Sequence, residues 1–292
     1  MPIEVKNLTF TYDEGFIFAK KALDNVSINI KDGEIVGIIG HTGSGKSTLV
    51  QHLNGLIKPK KPDCVVVDGV DIYDAKVNLK EIRQKVGLVF QYPEMQLFEE
   101  TVEKEIAFGP KNLGISDEEI KERVKEALDM VSLDYNRYKD RSPFLLSGGE
   151  KRRIAIAGIL AMKPKYFILD EPTAGLDPWV RVEILKELQN INNRATTIVI
   201  VSHDMDEISK IAKRIYVLSN GCVALSGSCK YVFSQFDKIK ELGLSLPQIT
   251  EILYLLNSKC GEVDFTELDI SKAVDEILIS LERKGKWKSK IA

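Results

Sequence analysis

The chain has 292 residues, 44% of them hydrophobic and 29% charged, with a formal net charge of −2. That length supports one large core plus a smaller appendage, and the composition is that of an ordinary soluble globular protein. A charge balance so near neutral supplies no basic field for nucleic acid or an anionic membrane, and no window approaches the roughly 18 consecutive apolar residues of a membrane span.

The opening Met1-Pro2-Ile3-Glu4 does not read as a secretory signal. From Ile3 to Ile30 apolar and polar residues alternate (Leu8, Phe10, Tyr12, then Val26, Ile28, Ile30), which predicts antiparallel strands with one wet face. Tyr12 is a candidate to stack on a nucleotide base, against the plainer reading of a strand aromatic packed on the core. The continuous apolar run Ile35-Val36-Gly37-Ile38-Ile39 has the pattern of a buried parallel strand. It feeds Gly40-His41-Thr42-Gly43-Ser44-Gly45-Lys46-Ser47-Thr48, a phosphate-binding loop. Its glycines let successive N–H groups face one anion, and the helix starting near Lys46 aims its positive end at the same place. In such a loop Lys46 reaches the β- and γ-phosphates and the Ser47 hydroxyl ligates Mg²⁺. A lone match would leave room for an ordinary glycine-rich turn. Here strand, loop and helix follow in the required order, so ATP or GTP binding is expected.

Val65-Val66-Val67 and Val86 to Phe90 are further strands, and Gln91 then starts a loop, a candidate to reach Mg²⁺ and an attacking water through its side-chain carbonyl. From about 92 to 165 the pattern is helical, an insertion between sheet strands. Ser116 with Glu119 predicts a capping box, followed by a stripe of Ile120, Val124, Ala127, Leu128 and Val131. Ser147-Gly148-Gly149-Glu150 opens another helix, with a capping serine and amides left bare by glycine. One nucleotide rarely needs two anion sites in one fold, so this second site is read as closing over the nucleotide of another subunit.

Tyr166 to Leu169 is a strand ending in Asp170 and Glu171. Asp170 is placed to hold Mg²⁺ through water, and Glu171 to serve as general base for the attacking water. Acidic residues also commonly end buried strands, but the phosphate loop favours the catalytic reading. Asp177-Pro178 predicts a helix start, with Val182, Leu185 and Leu188 on the buried face. Thr197 to Val201 is a buried strand, and His203 after it is a candidate donor to the γ-phosphate. Asn220-Gly221 predicts a tight hairpin. Strands alternating with helices imply a mostly parallel sheet covered on both faces. The remainder, from about 228, is helical and strand-poor, with stripes Ile249, Ile252, Leu253, Leu256 and Ile270, Ala273, Val274, Ile277, Leu281. Cys64, Cys222, Cys229 and Cys260 lack metal-ligand or disulfide spacing, so reduced cytosolic thiols are expected. The basic stretch Arg283-Lys284-Gly285-Lys286-Trp287-Lys288 reads as a solvated terminus rather than a lipid-headgroup contact.

These motifs in this order resemble the nucleotide-binding subunit of ATP-binding cassette (ABC) transporters over residues 1 to about 227. A narrower set, Phe90 to Phe98, Ala107-Phe108-Gly109-Pro110, Ala155 to Met162 and Ala174-Gly175-Leu176-Asp177-Pro178, resembles the ATPases of energy-coupling factor (ECF) importers. The resemblance implies an α/β P-loop NTPase cassette. It would have a mostly parallel sheet, an N-terminal antiparallel β-subdomain, an inserted helical subdomain at about 92–165, and a small mainly helical C-terminal dimerisation domain at 228–292. It further implies ATP with Mg²⁺, Ser147 to Glu150 as the signature facing a partner's ATP, and Asp177 in the D-loop. The implied partners are a second ATPase subunit, identical or different, a transmembrane coupling protein and a substrate-capturing membrane subunit for vitamins or cobalt and nickel ions. That complex would place the chain on the cytoplasmic face of the membrane. Asp170-Glu171-Pro172-Thr173-Ala174 with His41-Thr42 resembles the second of two paired ATPases. Glu150 departs from the usual signature glutamine and changes the local charge near the nucleotide. Other ABC transporter classes would bring β-rich extensions or fused membrane spans, and cassettes acting on nucleic acid would bring coiled-coil insertions or tandem cassettes. None of these is in the sequence, and a switch GTPase or kinase has no use for Ser147-Gly148-Gly149.

Overall fold

The computed structural model describes residues 2–13, 15, 19–260 and 263–283, with the side chains of 260 and 281–283 outside the description. The readings made above for Cys260, for Leu281 and for the basic stretch from Arg283 therefore lie outside the described residues.

Chain order begins with two long strands, β1 (Ile3–Tyr12) and β2 (Lys20–Ile30), then β3 (Ile35–Ile39) and α1 (Lys46–Leu53). Short strands β4 (Val65–Val67) and β5 (Val70–Asp71) precede α2 (Leu79–Lys85) and β6 (Val86–Val89). The helical insertion carries α3 (Val102–Asn112), α4 (Asp117–Met130), α5 (Tyr135–Tyr138) and α6 (Gly148–Leu160). Then β7 (Tyr166–Asp170), α7 (Pro178–Asn193), β8 (Thr197–Val201), α8 (Met205–Ile211), β9 (Arg214–Ser219) and β10 (Cys222–Ser228) complete the sheets. Four helices follow: α9 (Cys229–Ser234), α10 (Phe236–Glu241), α11 (Gln248–Cys260) and α12 (Ile270–Arg283).

The strands form two sheets. One is antiparallel, in the order β2-β1-β4-β5; the other runs β10-β9-β3-β8-β7-β6. In the second, β3, β6, β7, β8 and β9 pair in parallel and only the edge strand β10 is antiparallel. Side-chain alternation splits the parallel strands between two cores. Val36, Ile38, Tyr166, Ile168, Val199 and Val201 pack toward the antiparallel sheet. Ile35, Ile39, Phe167, Leu169, Ile198 and Ile200 pack toward the helices. Burial on both faces explains why these strands read as unbroken apolar runs rather than alternating ones. The hairpin turn is as expected, with Asn220 and Gly221 both at positive φ (48° and 76°).

Two local expectations change, and the helix start expected at Asp177-Pro178 holds. The Ser116 side chain accepts the Glu119 N–H, but the Glu119 carboxylate turns to Arg123 at 2.6 Å, so only half of the expected box forms. Val182 is 43% exposed rather than buried, and α7 buries Ile184, Leu185, Leu188 and Ile191 instead. Val182 lies two positions from Ile184 and so points away from the row Val180, Ile184, Leu188 and Ile191 that packs on the core. Asp177 occupies the cap position of α7 without a side-chain hydrogen bond, and Pro178 stands at the first turn.

The C-terminal helices divide in two. Val232, Phe233, Phe236, Ile239 and Leu246 belong to the helix-side core, so apolar packing runs unbroken past the end of β10. α11 and α12 share a small cluster of Leu253, Val263 and Ala273. Their expected stripes are therefore only partly covered, with Ile252, Ile270 and Val274 exposed.

Arg153 of α6 ties that helix to α7 through Glu183 at 2.5 Å and Glu187 at 3.1 Å. Burial pushes the Glu187 carboxyl up to about 7 although Arg153 opposes the shift. A folded value above the unfolded one means the contribution to stability is full in acid and is lost as pH rises through about 7. Glu187→Gln, which does not titrate, should therefore melt ~3 °C or more above wild type at pH 8. The gap should shrink as pH falls toward 5, as followed by thermal unfolding of the full chain.

Candidate nucleotide site

The loop between β3 and α1 is shaped by glycine where no other residue fits. Gly40 has φ +154°, and a Cβ there would lie 2.2 Å from the Leu218 carbonyl oxygen. Gly45 has φ +105° and would bring a Cβ to 2.5 Å from the Ala22 carbonyl oxygen. The hairpin turn buttresses the loop from behind, since Gly221 N–H donates to the Ser44 carbonyl at 3.1 Å and Asp24 N–H to the Gly221 carbonyl at 2.8 Å. Lys46 is buried and folds back over the loop, its Nζ donating to the carbonyls of Gly40 at 2.7 Å and His41 at 3.1 Å. Burial lowers its pKa, opposed by the charges of Glu171 and Asp170. Ser44 is fully buried and its hydroxyl lacks a hydrogen-bond partner among the described residues. A polar group left so inside an anion-binding loop fits a ligand that supplies the partner. Tyr12, at the end of β1, touches the same helix through its hydroxyl, 3.2 Å from Thr48 Oγ1.

The parallel sheet carries the acidic pair to the loop, because β3 and β7 both flank β8. Asp170 ends β7, buried, and accepts a hydrogen bond from Ser47; burial raises its pKa against that bond. Two hard oxygen donors side by side at a phosphate loop suit Mg²⁺, which takes few protein ligands and shares substrate phosphates. Glu171 follows at a left-handed φ of 52°, with its N–H bonded to the Val201 carbonyl at 2.9 Å. Its carboxylate meets His203 Nδ1 at 2.7 Å. A non-glycine residue held in that region stores about 1 kcal/mol or more, and such strain concentrates at functional sites. His203 is otherwise open to solvent, its side chain 71% exposed.

Gln91 is exposed on the loop after β6, and Tyr92 beside it adopts φ 54°. Within that loop Met95 and Phe98 are exposed at 81% and 55%, whereas Leu97 is buried in the core. The 3₁₀ turn at Pro93–Gln96 rolls Leu97 inward. Ser147 caps α6 in a complete capping box with Glu150. Asp177, at the cap of α7, lies two residues past Gly175, where a Cβ would come 3.6 Å from the Tyr92 ring.

Arg152 was not among the expected site residues. Its guanidinium is 1% exposed; it holds Glu94 of the Gln91 loop at 2.8 and 2.9 Å and the Pro172 carbonyl at 2.7 Å. A second link joins Thr173 to buried Glu207 of α8 at 2.6 Å. Nothing in the sequence singled out Arg152, which stands in the charged run Glu150-Lys151-Arg152-Arg153 ahead of the apolar stretch from Ile154; its burial is set by segments distant in the chain.

The profile of the ABC transporter family matches residues 23–174. The energy-coupling factor transporter ATP-binding protein EcfA2 of Clostridium acetobutylicum is 53% identical over 283 residues, covering 97% of this chain and 99% of that protein. CbiO1 of Clostridium perfringens, described as part of the ABC transporter complex cbiONQ, superposes with a TM-score of 0.72 at 38% identity, covering 86% of this chain and 98% of that one. A dimeric bacterial ABC transporter cassette superposes with a TM-score of 0.69 at 34% identity, covering 78% of this chain and 98% of that one. The chain belongs to the ABC transporter ATPases, in their energy-coupling factor branch.

Gly45→Ala should weaken ATP binding at least ~10-fold, since the strained φ and the contact with Ala22 both displace Lys46. Titration of the full chain with a fluorescent ATP analogue measures this.

Proposed function

We propose that this chain energises an ECF-type importer of vitamins or transition-metal ions by binding and hydrolysing ATP on the cytoplasmic face of the membrane. The observation that carries the reading is the meeting of Lys46, Ser47, Asp170, Glu171 and His203 at the ends of adjacent parallel strands. Lys46 would exchange its two carbonyl partners for the β- and γ-phosphates. Ser47 and Asp170 would hold Mg²⁺, with Gln91 at the rim; the ion neutralises phosphate charge when bound. Glu171 would take the proton of the attacking water, and Tyr12 would carry the base. With His203 Nδ1 on Glu171, Nε2 can donate to a phosphate oxygen only when the ring carries both protons.

Glu171→Gln should cut hydrolysis by about 10²-fold or more while ATP binding persists. Size exclusion with ATP and Mg²⁺ should then show a longer-lived dimer than wild type. Turnover above a few per cent of wild type would remove Glu171 from the role of base.

The coupling protein would sit in a groove of about 510 Å³ between α2, the Gln91–Phe98 loop, α3 and α6, where Phe98 packs edge-on against Phe108. Apolar side chains exposed at such a groove support a docking role. Phe98→Ser with Phe108→Ser, both exposed and both lining the groove, should abolish assembly with the membrane subunits and leave ATP binding intact; Leu97 is left alone because its loss would open the core. Copurification from membranes reads the result, and full assembly of the double variant would exclude the groove.

The second ATPase subunit would face Ser147, Gly148, Gly149 and Asp177, with each ATP held between the two subunits. α11 and α12 would keep the pair together in the absence of nucleotide, supported by exposed Ile252, Ile270 and Val274. Because α9 and α10 complete the cassette core, the informative truncation ends at Leu246 rather than at 227. A chain of residues 1–246 should be a folded, ATP-binding monomer without nucleotide. A dimer in nucleotide-free buffer at micromolar concentration would overturn this role.

A further inference from the structure

The signature helix carries a second anion of its own. Glu150 Oε2 accepts both the backbone N–H of Ser147 at 2.9 Å and its hydroxyl at 2.8 Å, while Ser147 Oγ accepts the Glu150 N–H at 3.3 Å. Glu150 Oε1 is held by the buried Tyr138, whose hydroxyl donates at 2.7 Å. The guanidiniums of Arg137 and Arg141 lie 5.4 and 5.2 Å from the centre of the Tyr138 ring. The hydrogen bond from Tyr138, with those from Ser147, holds the Glu150 carboxyl down at about 2 against burial, so it is ionised throughout the physiological range.

A serine hydroxyl has one proton to give. Here it is given to Glu150, and the positive end of α6 is already answered by that carboxylate. A phosphate bonded to the same hydroxyl at about 2.7 Å would sit roughly 5 Å from Glu150 Oε2. The carboxylate cannot simply swing out, because Tyr138 pins its other oxygen.

We propose that Glu150, pinned by Tyr138, is a positioning residue that holds the Ser147 hydroxyl and one negative charge against closure, and so sets how much ATP is needed to close the two ATPases. This rests on the reading that Ser147 faces the partner's ATP. Closure then requires the Ser147 proton to turn from Glu150 to the phosphate, and two anions to be brought together. Replacing Glu150 by glutamine keeps an acceptor for the Ser147 N–H and removes the charge.

The test uses the membrane complex purified through a tag on the full chain. Glu150→Gln should lower the KM for ATP ~3- to 10-fold, the factor expected for removing one unit charge a few ångströms from an anion near the surface. The gain should shrink as ionic strength rises. Tyr138→Phe should lower KM in the same direction by freeing the carboxylate. A merely structural role would instead lower kcat and the melting temperature with no improvement in KM. An unchanged or higher KM in either variant overturns the proposal. Ser147→Ala separates this from the reading beneath it. Wild-type hydrolysis in that variant would mean Ser147 does not face a nucleotide at all. Lost hydrolysis there, with KM unmoved in Glu150→Gln, would sink the role of Glu150 alone.

Discussion

The site depends on one buried cation. Arg152 stands on α6 yet satisfies its guanidinium on two other segments, Glu94 of the Gln91 loop and the carbonyl of Pro172 just past Glu171. An arginine this deeply buried cannot shed a partner cheaply; breaking such a pair costs about 3–5 kcal/mol because the charge left behind stays out of water. The planar fork also fixes angle as well as distance. One guanidinium therefore fixes the relative placement of α6, the Gln91 loop and the segment that follows the acidic pair.

A second set of constraints works through backbone rather than charge. The phosphate loop is wedged between β2 and the β9–β10 hairpin, with carbonyls of Ala22 and Leu218 so close that only glycine fits at 40 and 45. The loop is held in its anion-binding shape by neighbours that touch no ligand. On the far side of the sheet end, α8 repeats the pattern. Its cap Asp204 follows His203, Glu207 reaches Thr173, and the first amide of α11 donates to Asp206 at 2.9 Å. One short helix thus joins the acidic pair's neighbourhood to the C-terminal segment.

Much of this was legible from residue order. The β3–loop–α1 unit, the acidic pair at the end of β7 and His203 at the end of β8 are local patterns whose chemistry is set by a few consecutive residues, so a parallel sheet was enough to predict their convergence. The hairpin at Asn220-Gly221 was equally local, since two positive φ angles in succession select those residue types. Resemblance of motifs added the expectation of a paired ATPase and membrane partners, which no periodicity in the chain encodes.

What only the tertiary structure decided is where side chains go when several partners compete for them. The Glu119 carboxylate turns to Arg123 instead of closing its cap, while Glu150 closes its own and is claimed a second time by Tyr138. Leu97 turns inward after the 3₁₀ turn while Met95 and Phe98 stay exposed, and Val182 is left open because it falls off the face of α7 that Val180, Ile184 and Leu188 present to the core. α9 and α10 complete the cassette core although the sequence pattern set them apart from it. Composition and spacing determine which elements form and which chemistry each can carry. Burial, which makes an unmatched charge or an uncovered apolar face costly, depends on segments distant in sequence, and so it was decided only when the chain was folded.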